Sequence, residues 1–534
     1  MFWVALSIQG GGGIDSPRPA SQRAAAFILT AAMLITLTAP AFAETWYIEN
    51  GDITVKASGT EGKNTVSQGN KKDVEDTNTI ITNQNQDKAS SHTVTIDAND
   101  KNDKVEVTLK DVNIDTSSRN KAAVSVTGSG NTTIKLDGDN ALKSDTYRSG
   151  IYGSGSLTIS GGENDSLTAQ GGSGANGISS SGSLTISGGT VTANGGNGGY
   201  GIYSSGVTIS GGTITANGGS GKDGSGDGIF SFDPVAISGG TVTAKGGSGE
   251  DGEDGGDGIR SFDPVAISGG TVTAKGGSGE DGSGGRGIIS TKSVTISGGT
   301  VNANGGSGKN GNGGNGIIGS GRVAISGGTV NAAGGDGGNG KDGGDGIRSG
   351  GIDLSGSLEL TAKAGSPNGK ALSQNGKELD LNAIKDKLGP GAKVTVTDAN
   401  GETKQVSIPR PVEPEKPVIP EESSSSSDGG SSAPSAPASS LPGLTVTDKS
   451  GAVISYTSTQ SGNTLTVCVG RLTASLRASL STLRQLRAEG IETITFQTIL
   501  CSTTLSVDEL LAMGGEDAEA VLTHRSTDSS LTVG

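Results

Sequence analysis

A glycine-rich unit that repeats every 23 to 30 residues, from about Ser149 to Gly365, limits the fold more than any other feature of this chain. Its core reads V-T-I-S-G-G-T-V-T-A-N-G-G and is followed by a variable loop and then G-I. Such a short period indicates a solenoid, because each unit can bury its apolar face only against the next unit. Alternating apolar and polar residues predict short strands, and the glycine pairs predict tight corners. We therefore predict an all-β parallel β-helix with three strands per coil.

The apolar residues of each unit fall at alternate positions, which gives every strand an inward and an outward face. In one copy we expect Leu184, Ile186, Val191 and Ala193 to point inward and the threonines between them to point outward. Composition alone would indicate disorder, because 95 residues are glycine and apolar residues are sparse. The regular spacing argues against disorder and favours stacked ladders of isoleucine and valine.

The N-terminus has the pattern of an export signal. Arg18 and Arg23 precede a short apolar run, and Ala41-Phe42-Ala43 is a small-x-small cleavage site, so we expect cleavage after Ala43. A membrane anchor is the alternative, but the run is short for a spanning helix. The signal predicts a secreted protein, extracellular or held at the cell surface, with no membrane insertion after cleavage.

Changes in composition divide the chain into six segments. The predicted segments are a signal peptide (1–43), irregular N-terminal coils and cap (44–149), regular β-helix repeats (150–365), a C-terminal cap (366–408), a Pro/Ser-rich linker (409–442) and a small α+β module (443–534).

The predicted C-terminal module differs in character from the repeats. We expect Leu472, Leu476, Leu480 and Leu483 to form one face of a helix that ends at Gly490. The two cysteines of the chain, Cys468 and Cys501, also lie here. In an exported protein they are candidates for a disulfide, and two buried free thiols are the alternative.

The formal net charge is −15, and the chain shows no basic patch, which argues against a nucleic-acid partner. The acidic residues cluster in the variable loops, where stacking would bring like charges together. Calcium suits such loops, because it takes six to eight oxygen ligands in flexible geometry. The alternative is a solvated acidic fringe that keeps a rod soluble and monomeric. The predicted calcium ligands are Asp223, Asp227, Glu250, Asp251, Asp254, Asp257, Glu280, Asp281, Asp342 and Asp345.

Rare aromatic and arginine residues follow the isoleucine of G-I in several copies. Because the position is equivalent from coil to coil, we expect them to form one row of rings and guanidinium groups. Rings stack on sugar faces and arginine pairs with carboxylates, so the row is a candidate carbohydrate contact; the alternative is that the rings cover a corner of a thin core. The candidate ligand-binding residues are Tyr152, Tyr203, Phe230, Arg260 and Arg348.

Catalysis has little support in the sequence. The two histidines, His92 and His524, lie outside the repeats, and no Ser/His/Asp or Cys/His set can be argued. Arginines near the acidic loops leave a polysaccharide lyase as a weaker alternative. We expect no enzyme activity and assign no catalytic residue.

Two segments carry a family resemblance. T-I-K-L-D-G-D-N-A-L at 133–142 and S-G-I-Y-G-S-G-S-L-T-I-S-G-G at 149–162 resemble secreted carbohydrate-binding domain-containing β-helix proteins of Gram-positive anaerobes. The resemblance covers about 44–408. It implies a right-handed parallel β-helix that binds calcium and attaches to cellulose and pectic polymers without cleaving them. A structural or adhesive β-helix at the cell surface is the competing hypothesis.

Overall fold

The computed structural model describes residues 44–58, 62–222, 224–409, 443–448, 451–454, 456–461, 463–469, 473–498, 502–513, 518–525 and 528–533. The chain divides into two compact units, residues 1–414 and 415–534. The predicted signal peptide and most of the predicted linker lie outside the described residues.

The first unit is a β-solenoid, which confirms the predicted fold class. Each coil contributes one strand to each of three parallel ladders, which we call the GI, ISGG and TVTA faces after their sequences. The short strands follow the alternating segments of the repeat, and the glycine pairs form the corners between them.

The GI face contains the strands that begin at the G-I isoleucine in the regular coils. Its strands are Ile53–Ala57, Val94–Ala98, Val124–Gly128, Ile151–Gly153, Ile178–Ser180, Ile202–Ser204, Ile229–Ser231, Ile259–Ser261, Ile288–Ser290, the first parts of Ile317–Ile325 and Ile347–Leu354, and Leu372–Gln374.

The ISGG face contains the strands that end before the glycine pair in the regular coils. Its strands are Thr45–Tyr47, Thr79–Thr82, Lys104–Lys110, Asn131–Asp137, Ser156–Ser160, Leu184–Ile186, Val207–Ile209, Val235–Ile237, Val265–Ile267, Ser293–Ile296 and the second parts of Ile317–Ile325 and Ile347–Leu354.

The TVTA face is a separate sheet. Its strands are Asn113–Asp115, Asp139–Lys143, Ser166–Gln170, Thr190–Asn194, Thr213–Asn217, Thr241–Lys245, Thr271–Lys275, Thr300–Asn304, Thr329–Ala333, Glu359–Lys363, Lys393–Thr397 and Thr403–Ser407.

One continuous apolar core runs through the solenoid. Leu184, Ile186, Val191 and Ala193 are all fully buried, as their alternation predicts. The same inward positions stack from coil to coil, for example Ile186 on Ile209 and Val191 on Ile214. The thin core is therefore built from ladders of equivalent side chains, each of which depends on the coils on both sides.

Close backbone contact explains why the loops are rich in glycine. A Cβ atom placed on Gly219 would lie 1.7 Å from the carbonyl oxygen of Gly196 in the preceding coil. At the ISGG corner, Gly189 has a φ of 78°, a conformation that other residues rarely adopt. Glycine at such positions allows successive coils to pack backbone against backbone.

Irregular elements lie at both ends of the solenoid. At the N-terminal end, Asn64–Gln68 pairs antiparallel with Ile53–Ala57 and with Lys71–Asp76, and a short 3₁₀ helix spans Ile48–Asn50. At the C-terminal end, the 3₁₀ helix Leu381–Lys387 buries Ile384. The last TVTA strands pair antiparallel there, and Lys377–Glu378 pairs with the last GI strand.

The second unit is a small α+β domain with its own core. Its strands are Leu444–Thr447, Thr457–Ser461, Thr464–Cys468, Ala474–Ser479, Thr493–Gln497, Ser502–Ser506, Glu519–Arg525 and Asp528–Val533, arranged in two four-stranded sheets, and its helices are α1 (Leu480–Ala488) and α2 (Val507–Met513).

The predicted leucine face of α1 was wrong at its N-terminal end. Leu476 lies in the strand Ala474–Ser479, where alternate residues are buried, and Leu472 lies outside the described residues. The helix begins after Ser479, whose hydroxyl accepts a hydrogen bond from the backbone N–H of Thr482. The four leucines therefore do not share one helix, because Leu476 lies in a strand that pairs with Leu444–Thr447 and Glu519–Arg525.

The predicted disulfide stays a prediction. Cys501 lies outside the described residues. The Sγ atom of Cys468 is 3.5 Å from Oε1 of Gln497.

Candidate functional site

The five candidate ligand-binding residues lie in one outward column of the GI face, which we call the GI row. The strand register runs from Tyr152 through Ser179 to Tyr203 and Phe230, and then to Arg260. It continues through Ile289 and Ile318 to Arg348 and Ser373. Positions that are equivalent in the repeat therefore lie in one column of the structure, as expected. The binding role of the row stays a prediction.

Two exposed tyrosine rings line a groove at the N-terminal part of the GI row, which we call the aromatic groove. Tyr147 is 78% exposed and Tyr152 is 46% exposed, and the groove has a volume of about 610 Å³. Polar side chains line it as well: Asn120 accepts a hydrogen bond from Nε of Arg148 at 3.0 Å, and Asn176 lies beside them. Rings and hydrogen-bonding groups thus face one open space.

Tyr147 was not singled out from the sequence. It lies in the loop before S-G-I-Y, outside the repeated unit, with a φ of 58°. Its backbone N–H donates to the carbonyl of Ser173 at 2.8 Å, and its ring lies against Gly174, where a Cβ would be 2.7 Å from the ring. An aromatic residue next to a repeat copy was the only sequence signal for this position.

Farther along the GI row the rings cluster with one another. Tyr203 and Phe230 stack with centroids 5.3 Å apart, and Phe232 stacks on Phe262 at 5.7 Å. The guanidinium carbon of Arg260 lies 6.0 Å from the centroid of Phe230. Phe230 is only 7% exposed, whereas Phe232 is 45% exposed. Phe230 therefore covers the core, and the S-F-D-P phenylalanines are the accessible rings of this cluster.

A second groove lies beside Arg348, and we call it the polar groove. Its volume is about 450 Å³. Arg348 is exposed, whereas Ser373 in the next position of the GI row is 1% exposed. Asparagine and aspartate side chains and Lys370 make up most of the remaining lining.

A ladder of polar side chains precedes the G-I glycine in successive coils. Asn176 accepts a hydrogen bond from the backbone N–H of Tyr200, and Asp227 accepts one from Asp257 at 2.6 Å. Asp257 in turn accepts from the N–H of Arg286 at 2.7 Å. Each side chain thus satisfies the backbone of the next coil, which is a structural role for two of the predicted calcium ligands.

The two aspartates of this ladder are buried, at 3% exposure for Asp227 and 1% for Asp257. Burial and the neighbouring Asp257 carboxylate raise the pKa of Asp227 to about 7. Burial also raises the pKa of Asp257, although Arg286 and Arg260 oppose that shift. Oδ2 of Asp257 has no hydrogen-bond partner among the described residues and lies 3.6 Å from Nη1 of Arg260.

The acidic loops of neighbouring coils stack in register. Parallel bridges join Gly221 to Gly249 and Gly249 to Gly279. Basic or amide side chains contact several acids: Lys222 lies 3.0 Å from Asp251, and Lys309 lies 2.7 Å from Glu280. The loops therefore stay stacked, with part of their negative charge balanced by lysine.

The remaining predicted calcium ligands that the structure describes are Glu250, Asp254, Asp281, Asp342 and Asp345. Glu250 is exposed, and Asp223 lies outside the described residues. Asp254 accepts from the N–H of Ser283, Asp281 from Asn310, Asp342 from Asn368, and Asp345 from the N–H of Lys370.

No three acidic, histidine or cysteine side chains converge in a metal-binding arrangement within the described part of the chain. Calcium stays a prediction.

The two histidines belong to different units. Nδ1 of His92 lies 3.1 Å from Oδ1 of Asp52, which also pairs with Arg119. His524 belongs to the second unit, where it packs against Phe496. Of the described residues, none forms a helix long and apolar enough to span a membrane.

Comparison with known proteins identifies one segment. Residues 87–343 match the family of carbohydrate-binding domain-containing proteins. This segment is just under half of the chain and includes the aromatic groove and most of the GI row. The resemblance to carbohydrate-binding domain-containing proteins is thereby confirmed for this segment, and a carbohydrate-binding role is indicated, while secretion, calcium and the type of polysaccharide stay predictions. No curated protein and no solved structure gave a match.

Proposed function

We propose that the chain is a secreted, non-catalytic protein that attaches to an extracellular polysaccharide, cellulosic or pectic, through the aromatic groove. The carrying observation is that two exposed tyrosine rings, Tyr147 and Tyr152, line one open groove within the matched segment. Single exposed rings are common on protein surfaces, but rings grouped in one groove mark interaction sites.

Sugar rings present apolar C–H faces and a rim of hydroxyl groups. The faces of Tyr147 and Tyr152 suit the apolar part, and Arg148, Asn120 and Asn176 supply donors and acceptors for the hydroxyls. An open groove on the side of a solenoid accepts a polymer without requiring a chain end. Binding of this kind holds a polymer in place and supplies no acid or base to cleave it.

Two further parts of the proposal follow from the sequence. Secretion rests on the predicted signal peptide, and calcium rests on the acidic loops, which stack in register and offer the oxygen ligands that calcium prefers. The protein is proposed to act as a monomer.

The competing function is an adhesive surface protein. The accessible phenylalanines Phe232 and Phe262 favour it, since an exposed apolar pair suits a protein partner as well as a sugar.

The direct test is retention on insoluble cellulose and on polygalacturonate gel, with calcium and with chelator, alongside an assay for released or unsaturated sugars. Retention without product supports the proposal, and loss of retention in chelator would connect calcium to binding. Release of unsaturated uronates would contradict the non-catalytic function and show that the protein is a polysaccharide lyase. Retention on cells with none on either polysaccharide would favour the adhesive function.

A further inference from the structure

The floor of the polar groove contains an unsatisfied hydroxyl. Oγ of Ser373 has no hydrogen-bond partner among the described residues, although Ser373 is 1% exposed. Leaving a buried hydroxyl unpaired costs free energy, so such a group requires an explanation. Buried serines one position further along the GI strands are satisfied: Ser180 donates to the carbonyl of Gly155 at 3.0 Å.

Amide side chains line the polar groove beside Ser373, together with the carboxylates of Asp342 and Asp345. The side-chain oxygens of Asn312 and Asn315 accept backbone N–H groups of the next coil, from Asp342 at 3.1 Å and from Asp345 at 2.5 Å. Their amide N–H groups therefore remain for a ligand, because they have no hydrogen-bond partner among the described residues.

Two cations complete this donor set. Arg348 and Lys370 line the groove without a side-chain ion pair among the described residues, and Arg286, which also lines it, lies 3.6 Å from Asp257. One oxygen of Asp345 accepts the backbone N–H of Lys370, which ties that acid to the framework. The groove thus offers guanidinium, ammonium, amide and hydroxyl donors around one space.

We propose that the polar groove binds the oxyanion of a charged sugar, a carboxylate or a sulfate ester, with Ser373 and Arg348 as direct contacts. An oxyanion accepts several hydrogen bonds at once and would satisfy the Ser373 hydroxyl. The net charge of −15 repels polyanions in general, so attraction at this groove depends on local donors. The proposal deepens the proposed function and rests on it, since it places a second, chemically distinct contact on the GI face.

The test measures binding of soluble oligosaccharides to the full chain. The probes are a galacturonate trimer, a sulfated chondroitin oligosaccharide and cellotriose as the neutral control. We expect at least one charged probe to bind about tenfold more tightly than cellotriose, with an affinity that falls as salt rises. The arm that binds identifies the charged group, carboxylate or sulfate.

Variants separate a ligand contact from a structural role. Ser373→Ala and Arg348→Gln should each lower the affinity for the charged probe about tenfold, because a hydrogen bond to a charged group is lost. Lys275→Gln, which removes one positive charge from the TVTA face, is the matched control and should bind as the unmodified chain does. Ser373→Ala should not lower the melting temperature, since it removes an unpaired group.

Equal affinity for charged and neutral probes, or unchanged binding by both variants, would overturn the proposal. Failure here is distinguishable from failure of the proposed function. If polysaccharide retention is lost on changing Tyr147 and Tyr152 but unaffected by Arg348→Gln, the aromatic groove stands and the oxyanion site does not. If no polysaccharide is retained at all, both fail.

Discussion

The substitution Asp227→Asn should stabilise the solenoid, and increasingly so as pH rises. Oδ1 of Asp227 accepts the backbone N–H of Asp257, and this oxygen is retained in asparagine. The ladder itself provides the precedent, since Asn176 and Asn315 make the same contact to the next coil. The change therefore removes a buried charge and leaves the hydrogen bond.

The magnitude follows from the pKa. In the folded state the pKa of Asp227 is raised from 3.8 to about 7, so the folded chain binds a proton more readily than the unfolded chain. Stability from this group is full below pH 3.8 and is lost as pH rises to about 7. At 1.36 kcal/mol per pKa unit, the loss is about 4 kcal/mol at most, and coupling to Asp257 reduces it to roughly 2–4 kcal/mol.

The assay is urea unfolding of both forms at pH 5 and pH 8. At pH 5 the variant should already be more stable by about 1–2 kcal/mol, because the unfolded carboxyl is ionised there, and at pH 8 it should be more stable by roughly 2–4 kcal/mol. Asp233→Asn removes an exposed charge from the same coil and is the control. An equal difference at both pH values, or a less stable variant at pH 8, would refute the buried ionisable pair.

Three other perturbations have definite expected outcomes. Gly219→Ala should destabilise the solenoid by about 1–3 kcal/mol in a thermal melt, because the new Cβ meets the carbonyl of Gly196. The control Gly351→Ala, whose new Cβ would have its nearest atom at 3.9 Å, should change stability little, and equal effects of the two variants would contradict the close stacking. The second unit should lose stability as pH falls below about 6.5, because burial lowers the pKa of His524 and the folded unit resists its protonation. Hydrogen exchange at pH 5 and pH 7.5 measures this stability, and equal stability of the unit at both pH values would count against the prediction. Calcium should raise the melting temperature of the chain, less so in Asp251→Asn/Asp281→Asn, and a melt unchanged by chelator would remove calcium from the account.

The repeat was enough to predict the ladders, since a period of two within each strand and a fixed recurrence between units leave one stacking register. Leu184 and Ile186 point inward for that reason. The same equivalence placed Tyr152 and Arg348 in one column.

The features that the sequence did not predict lie at the corners and ends of the solenoid, because the spacing of the repeat does not determine the backbone conformation there. Asp227 and Asp257 read as loop acids, yet stacked glycines let the corner close over them and bury both. Tyr147 and Ser373 escaped notice because the first precedes the repeat and the second follows its last regular copy. In the second unit, the spacing of the leucines predicted a helix at Leu476, but this residue lies in a strand that pairs with Glu519–Arg525.

Adsorption of the full chain to insoluble polysaccharide, with and without Tyr147→Ala/Tyr152→Ala, tests the central claim most directly. Tyr47→Ala, which removes an exposed ring outside the aromatic groove, is the control. We expect the unmodified chain and the control to bind alike and the double variant to bind at least tenfold more weakly, with an unchanged melting temperature. Equal binding by all three would contradict the aromatic groove as the carbohydrate site.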